Sequence, residues 1–322
     1  MNAKKTKKIV VLATGGTIAG TAASPSDHVG YAAAQLHVQD LLNAIPNLQD
    51  ALQGDALEAE QVANLDSKDM DHDTWQTLAQ RCQHWLSQPD VDGVVITHGT
   101  DTLEETAWFL QQVLGTTKPV VMTCAMRPAT SLEADGPQNL LDALAVVRDP
   151  KAQGVLLACA GSIHGAQHVQ KIHPHRLDAF SSGSSGPLGQ VTQGLVHWAP
   201  DAAHLINPKA PAHHSLALQK PVADWPWVAV LFSHAEADAR QVKALIDVGV
   251  KGLVVAGTGN GTVHAAWVDA LKDAQSKGVA VWLTSRCTEG QLLGQSFDFP
   301  VAPADLNAFK LRISLMLSLM NS

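Results

Sequence analysis

The stretch that decides the fold is IVVLATGGTIAG, residues 9–20. Its first six positions form an apolar run closed by a threonine, which is typical of a buried strand in a parallel sheet. Gly15 and Gly16 follow, and paired glycines let the main chain turn sharply and approach a ligand closely. The pattern places Thr17 at the carboxyl end of a strand, where open α/β sheets bind their ligands.

A second stretch, GVVITHGTDT at residues 93–102, has the same design. An apolar strand leads into a glycine turn, and the hydroxyl residue Thr100 is here followed by the carboxylate Asp101. A single threonine after a glycine turn is most often a turn residue or a helix cap. Two such segments together favour hydroxyl chemistry, because a threonine needs a neighbouring base before it can act as a nucleophile.

Apolar runs alternate with amphipathic segments through the first half of the chain. This alternation predicts an α/β fold in which a parallel sheet carries helices on both faces. We expect Asp73 to cap the second helix. The predicted strands are residues 9–14, 57–65, 94–97, 120–123 and 154–159, and the predicted helices are residues 38–45, 73–88, a segment from 102, and 139–147.

The pattern breaks at residues 161–198 into short pieces rich in glycine and serine. Residues 201–224 are rich in alanine, proline and histidine without a clear period, which is typical of a linker between domains. We therefore predict a larger domain over 1–200, a linker over 201–224, and a smaller α/β domain over 225–322. The predicted strands there are 227–232, 252–256 and 279–284, and the helices are 238–248, 263–275 and 304–320.

Charge and composition exclude several classes of protein. The net charge of −8 argues against a nucleic-acid surface. No apolar run approaches the 18 residues of a membrane span, so no membrane partner is expected. The basic residues 4–8 do not predict a signal peptide, because cleavage after the next apolar run would remove Thr17. Cysteines 82, 124, 159 and 287 contain no CxxC pair, which favours core thiols in a reducing, cytoplasmic compartment.

The sequence offers little support for a metal or a nucleotide. Four of its 15 histidines lie close together in sequence, at positions 164, 168, 173 and 175, but no cysteine or carboxylate completes a recognisable ligand set. The GxxxxGK[ST] motif is absent, and the Gly-Gly-Thr turn lacks the third glycine of GxGxxG. We expect neither a metal nor a cofactor.

The segments ATGGTIAG (13–20) and ITHGTDTLEETA (96–107) resemble the two signature segments of the bacterial L-asparaginases. Four shorter matching segments, at 64–70, 125–128, 186–189 and 257–261, continue the resemblance in the family's order over nearly the whole chain. It implies a flavodoxin-like N-terminal domain and a cofactor-free enzyme that hydrolyses L-asparagine to L-aspartate and ammonia. It also implies a homotetramer built from intimate dimers that share their active sites.

The resemblance implies roles for five residues. Thr17 forms an acyl-enzyme, and Tyr31 assists it from a lid formed by residues 21–34, whose small and polar residues are typical of a mobile loop. Thr100, Asp101 and Lys171 form a second group that activates the water or the nucleophile. Taken alone, Tyr31 would be a packing residue and Lys171 a surface lysine.

The resemblance also implies a substrate site. Ser67 and backbone N–H groups, with Gly16 nearby, hold the α-carboxylate of the substrate, and Asp101 holds its α-ammonium group. The carbonyl of Ala125 accepts from the side-chain amide. Asn260 enters the active site of a neighbouring subunit, although an Asn-Gly pair also favours a simple tight turn.

Three positions depart from the family pattern. Lys68 stands where glutamine or glutamate is usual, and Cys124 stands where glycine is common. Glu289 is the nearest candidate for an acid that reaches across the subunit interface. Lys68 either turns outward or reaches the substrate carboxylate beside Ser67, and we predict the first because a lysine ammonium favours water.

Two other functions stay open at this point. One is a related amidase that acts on a different amide, such as glutamine. The other is a non-catalytic sensor of small molecules built on two α/β domains. Release of ammonia from asparagine distinguishes all three.

Overall fold

A computed structural model of the chain describes residues 7–27, 30–202, 215–294, 299–301 and 306–320. The chain divides into two compact units, Met1–His213 and His214–Ser322. Much of the predicted linker lies outside the described residues, as do residues 1–6. Its described part contains two short 3₁₀ helices, Ser215–Gln219 and Val222–Asp224, where we had expected no regular structure.

The first unit is built on an eight-stranded sheet with the order β2-β1-β3-β4-β5-β6-β9-β10. The strands from β2 to β5 pair in parallel, as predicted, whereas β6, β9 and β10 extend the sheet in antiparallel pairs. The strands are β1 (Lys8–Gly15), β2 (Ala56–Leu65), β3 (Val91–Thr97), β4 (Val120–Thr123), β5 (Val155–Cys159), β6 (Ser162–Gly165), β7 (Gln170–Lys171), β8 (Phe180–Ser181), β9 (Gly189–Thr192) and β10 (Leu195–Trp198).

The strand order positions the functional segments. Strand β1 lies between β2 and β3, so the order of the sheet reverses beside it. In sheets of the order 2-1-3-4-5, this reversal opens a crevice outside the carboxyl ends of the first and third strands. Thr17 follows β1 and Thr100 follows β3, so both hydroxyl residues lie at this switch point.

Five α-helices are described in the first unit. They are α1 (Val38–Asn43), α2 (Leu48–Leu52), α3 (His72–Leu86), α4 (Leu103–Leu114) and α5 (Gly136–Arg148). The expectation that Asp73 caps α3 is wrong: the Asp71 carboxylate accepts from the Thr74 N–H at 2.8 Å, and Asp73 lies in the first turn. Helix α5 begins earlier than predicted because Pro137 is tolerated in its first turn.

Two apolar layers hold the helices on the sheet. A cluster that includes Val11, Val95 and Leu144 joins the sheet to α1, α2 and α5. On α3 and α4, the rings of Trp75 and Phe109 stack with centroids 4.9 Å apart. Each such buried side chain stabilises the fold by about 1.5–3 kcal/mol.

The second unit is a smaller α/β domain, as predicted. Its parallel sheet has the order β11-β12-β13. Among the described residues, no helix is long and apolar enough to cross a bilayer. The elements are β11 (Val228–Phe232), β12 (Gly252–Gly257), β13 (Ala280–Ser285), α6 (Ala239–Asp247), α7 (Ala265–Ser276) and α8 (Ala308–Met320); the start predicted for the last helix, at residue 304, lies outside the described residues.

The thiols only partly follow the expectation of core residues. Cys82, Cys124 and Cys159 are free and buried, and the sulfur atoms of Cys124 and Cys159 lie 3.5 Å apart. Cys287 is exposed, which corrects the prediction that every cysteine is a core thiol.

Candidate active site

The first hydroxyl pair joins Thr17 to Tyr31. Thr17 opens a short 3₁₀ helix, Thr17–Ala19, directly after the glycine turn of β1, and only 6% of its surface is exposed. Its Oγ1 lies 2.6 Å from the Tyr31 hydroxyl, and either oxygen can be the donor. The only tyrosine of the chain therefore contacts the threonine that the sequence singled out.

The predicted lid is fastened at its base. Backbone hydrogen bonds of 2.9 Å run in both directions between Thr21 and Ala32. The Ala22 N–H also donates to Thr130 Oγ1 at 2.9 Å. His28 and Val29, at the centre of the lid, lie outside the described residues.

The turns after β1 and β3 touch each other. Gly16 has φ +83°, and a Cβ there would lie 2.3 Å from Gly99 Cα. A Cβ at Gly99 would in turn lie 2.6 Å from Ser67 Oγ. Because no side chain fits either contact, the main chains that precede Thr17 and Thr100 pack directly on each other.

Lys171 joins the second hydroxyl to a carboxylate. Its Nζ lies 2.8 Å from Thr100 Oγ1 and 2.6 Å from Asp101 Oδ1. The Lys171 side chain is 16% exposed, whereas that of Asp101 is 54% exposed. The structure thus brings together the three residues of the expected hydroxyl–amine–carboxylate group, although Lys171 comes from a hairpin 70 residues further along the chain.

Ser67 follows β2 and is buried against the segment after β3. Its Oγ accepts from the Asp101 N–H at 3.1 Å, and its carbonyl accepts from Thr102 Oγ1 at 2.7 Å. Only 1% of the Ser67 surface is exposed. Within the described part of the chain its hydroxyl hydrogen meets no acceptor, so Ser67 can still donate to a ligand.

The segment around Ala125 is held so that one carbonyl stays open. The Asp135 carboxylate accepts from the N–H groups of Met126 and Arg127 at 2.9 Å each. The Asn139 amide donates to the Cys124 carbonyl at 2.9 Å. No donor among the described residues reaches the Ala125 carbonyl, which can therefore accept from a ligand amide.

Lys68 is turned toward two acids of its own loop. Its Nζ lies 3.0 Å from Asp66 Oδ2 and 2.9 Å from Asp69 Oδ2. These hydrogen bonds, with that to Asp69 the larger influence, raise the pKa of Lys68 above its usual range. The side chain is 60% exposed, so its charge is shared with solvent as well as with the two carboxylates.

In the second unit, Asn260 is paired with a nearby segment. Its Nδ2 donates to the Leu293 carbonyl at 2.6 Å, and its Oδ1 accepts from the Leu293 N–H at 2.8 Å. Glu289 is exposed in the same segment. The amide of Asn260 thus holds the main chain of Leu293 within its own chain.

Sequence reasoning missed two buried groups beside the site. The Glu104 carboxylate, in the first turn of α4, accepts from the Lys171 backbone N–H at 2.9 Å. Acids are common at helix starts because they complement the helix dipole, so the local sequence does not reveal this contact. His98 Nδ1 lies 2.6 Å from the Gly99 carbonyl, so this nitrogen carries the hydrogen. Burial lowers the pKa of His98 to about 4.

Two of the four histidines that are close in sequence have hydrogen-bond partners on nearby segments. His164 Nδ1 lies 2.9 Å from Ser182 Oγ. His173 Nδ1 accepts from the N–H groups of His175 and Arg176 at 3.2 and 3.1 Å. In the described ranges, no three His, Cys, Asp or Glu side chains are grouped to hold a metal ion.

Comparisons with known proteins agree with this architecture. The family model described as "Asparaginase, N-terminal" matches residues 8–204, and "Glutaminase/Asparaginase C-terminal domain" matches residues 227–322. A "Probable L-asparaginase periplasmic" of Haemophilus influenzae is 36% identical over 99% of this chain and 90% of its own length. A "Glutaminase-asparaginase" of Pseudomonas fluorescens is 34% identical over 98% of this chain and 87% of its own length.

A solved structure is similar over both units. It is described as a probable cytoplasmic L-asparaginase from Campylobacter jejuni, with a TM-score of 0.89 and 38% identity. The match covers 98% of this chain and 96% of that one. With both domain models matched in order along nearly its whole length, the chain belongs to the bacterial L-asparaginase family.

Proposed function

We propose that this chain is an L-asparagine amidohydrolase that releases L-aspartate and ammonia through a threonyl acyl-enzyme. The observation that carries the proposal is the pair of hydroxyl groups at one switch point. Thr17 lies 2.6 Å from the Tyr31 hydroxyl, and Thr100 lies 2.8 Å from the Lys171 amine. A nucleophile and a second activated hydroxyl suit a two-step hydrolysis.

In the first step, Thr17 Oγ1 attacks the side-chain carbonyl carbon of asparagine. Tyr31 accepts the Thr17 hydroxyl proton as it gives its own proton to the leaving nitrogen, so the C–N bond breaks and ammonia departs. The Thr100 backbone N–H meets no acceptor within the described residues, so it can donate to the oxyanion. The product of this step is an ester between aspartate and Thr17.

In the second step, water attacks the ester carbonyl carbon. The Lys171 amine serves as the base for the Thr100 hydroxyl, and Thr100 in turn draws a proton from the water. The bond between the ester carbon and Thr17 Oγ1 then breaks, the proton taken from the water returns to Thr17 Oγ1, and aspartate is released. Asp101, 2.6 Å from the Lys171 amine, orients this group and binds the α-ammonium of the substrate. Ser67 and the Gly16 turn hold the α-carboxylate, and the open Ala125 carbonyl accepts from the amide.

The decisive experiment measures ammonia and aspartate released from L-asparagine by the purified chain. We expect one ammonia for each aspartate, and loss of at least about 10³-fold in turnover in Thr17→Ala, which removes the nucleophile. Thr17→Ala should still bind aspartate, because it loses little binding surface. Binding of asparagine by the wild-type chain without ammonia release would instead support the non-catalytic sensor.

Glutamine is a second candidate substrate. It is favoured by the similarity to a protein described as a glutaminase-asparaginase. The same assay with L-glutamine gives the ratio of the two kcat/KM values. A ratio that favours glutamine would replace asparagine as the proposed substrate.

We further propose that the enzyme is a cytoplasmic homotetramer in which Asn260 and Glu289 complete the active site of a neighbouring subunit. The family resemblance supports this assembly, and the similar solved structure is described as a cytoplasmic enzyme. Light scattering at assay concentration tests the assembly, and a fully active monomer would refute it. Cell fractionation tests the compartment, since a similar protein is described as periplasmic.

A further inference from the structure

Lys171 is held at two points by one short segment of the chain. Its side-chain amine meets Thr100 and Asp101 at 2.8 and 2.6 Å. Its backbone N–H donates to Glu104 Oε2 at 2.9 Å. The residues that contact the amine and the residue that contacts the main chain all come from residues 100–104.

The hairpin that carries Lys171 is short. Strand β7 consists of Gln170 and Lys171, and within the described residues it pairs with β8. The next residue, Ile172, directs its N–H to the Ala179 carbonyl on the β8 side at 2.7 Å. Successive N–H groups of an extended chain point to opposite sides, so the Lys171 N–H points away from β8 and meets Glu104.

Glu104 is a fixed partner for this N–H. It lies in the first turn of α4, and only 9% of its surface is exposed. The residue before α4, Thr102, donates its hydroxyl to the Ser67 carbonyl at 2.7 Å. The Glu104 carboxylate therefore lies at a helix start that is hydrogen-bonded to Ser67, the residue proposed to bind the substrate carboxylate.

We propose that Glu104 is a positioning residue that sets the place of the Lys171 amine by holding the Lys171 main chain. The inference rests on the proposed function, because it matters only if Lys171 takes part in hydrolysis. The physical reason is distance: Thr100 and Lys171 must exchange a proton over 2.8 Å. A displacement of about 1 Å in such a group costs about 10²-fold in rate.

The test is a double-variant cycle on the full-length enzyme. Glu104→Ala removes the acceptor, Glu104→Gln keeps one carbonyl oxygen for the Lys171 N–H, and Lys171→Met removes the amine. Glu105→Ala, on the same helical turn, is the matched control. For each variant, kcat and KM for L-asparagine and the thermal midpoint are measured.

We expect Glu104→Ala to lower kcat by about 10²-fold with KM within about threefold, and Glu104→Gln to retain more activity. In the Lys171→Met background, Glu104→Ala should cost nothing further, because residues that act as a unit are non-additive. Glu105→Ala should keep the wild-type kcat. If Glu104→Ala does not fold, Glu104→Gln and its double variant carry the same comparison.

Two results would overturn the inference while leaving the proposed function intact. One is an active enzyme whose Glu104→Ala variant keeps kcat within threefold of wild type. The other is a loss that multiplies in the Lys171→Met background, since Glu104 would then act independently of Lys171. A wild-type chain that releases no ammonia from asparagine would overturn the proposed function and the inference together.

Discussion

The hydroxyl oxygens of Thr17 and Tyr31 lie 2.6 Å apart, although the two residues belong to different segments of the chain. Thr17 is fixed at the end of β1, whereas Tyr31 arrives on the predicted lid. Closing one hydrogen bond therefore brings together the proposed nucleophile and the group that is to move its proton. This makes the state of residues 21–34 part of the chemistry.

Removing the tyrosine hydroxyl should affect the rate more than the fold. We expect Tyr31→Phe to lower kcat by about 10²-fold or more, which is typical of a lost proton-transfer group. The free energy of unfolding should fall by no more than about 1 kcal/mol, because a single hydrogen bond is lost. Steady-state kinetics and urea unfolding measure both, and an unchanged kcat would contradict the role of Tyr31.

Filling the contact between the two turns should unfold the site. In Gly16→Ala the new methyl group would meet Gly99 Cα at 2.3 Å, on a residue with φ +83°. We expect a loss of at least about 2 kcal/mol in the free energy of unfolding. Gly54→Ala is the matched control, because Gly54 has φ +92° but no atom within 4 Å of its Cβ position. Equal losses in both variants would show that only backbone strain matters.

Lys68→Gln tests the clearest departure from the family. Lys68 pairs with Asp66 and Asp69, so its replacement frees the loop to offer an acceptor to the α-ammonium of the substrate. We expect a lower KM for L-asparagine with little change in kcat. Lys151→Gln, at another exposed lysine, controls for the change in net charge. A several-fold rise in KM would show instead that Lys68 binds the substrate carboxylate.

His98 should make the fold sensitive to acid. Burial lowers the folded-state pKa of His98 to about 4, below the ordinary histidine value of 6.5. Between these two pH values the unfolded chain therefore binds more protons than the folded chain. Stability from this group is present above about pH 6.5 and is lost as the pH falls toward 4, to the extent of about 3 kcal/mol. Denaturant unfolding at pH 7 and pH 4.5 should show a smaller acid loss in His98→Gln than in wild type. Parallel losses in the two proteins would argue against this linkage.

The parts of the fold that sequence could predict are those with a strong period. The run before Gly15 and the run before Gly99 predict strands, and their glycines predict turns that place Thr17 and Thr100 at the strand ends. The parallel sheet and the second α/β domain followed from the same alternation. The strands of two to four residues in the 161–198 segment were missed, because a strand that short has too few positions to show a period.

The contacts between distant segments could not be read from the residues alone. Nothing in the local sequence of Lys171 shows that its amine meets Thr100 across 71 positions; only the resemblance implied it. Glu104 lies where helix-start acids are common, and its contact with the Lys171 main chain depends on a hairpin that folds back onto α4. The sequence analysis predicted a cap at Asp73, whereas α3 begins at His72 and is capped by Asp71.

The direct packing of Gly16 on Gly99 has a consequence for redesign. With main chain against main chain, the contact between the segments of Thr17 and Thr100 contains no side chain that substitution could shorten, lengthen or reshape. Attempts to change the length of the amide that is accepted should therefore leave these two glycines unchanged. Variation belongs instead at exposed side chains of the predicted lid, such as Ser26, and at Lys68, which can change without displacing either strand end.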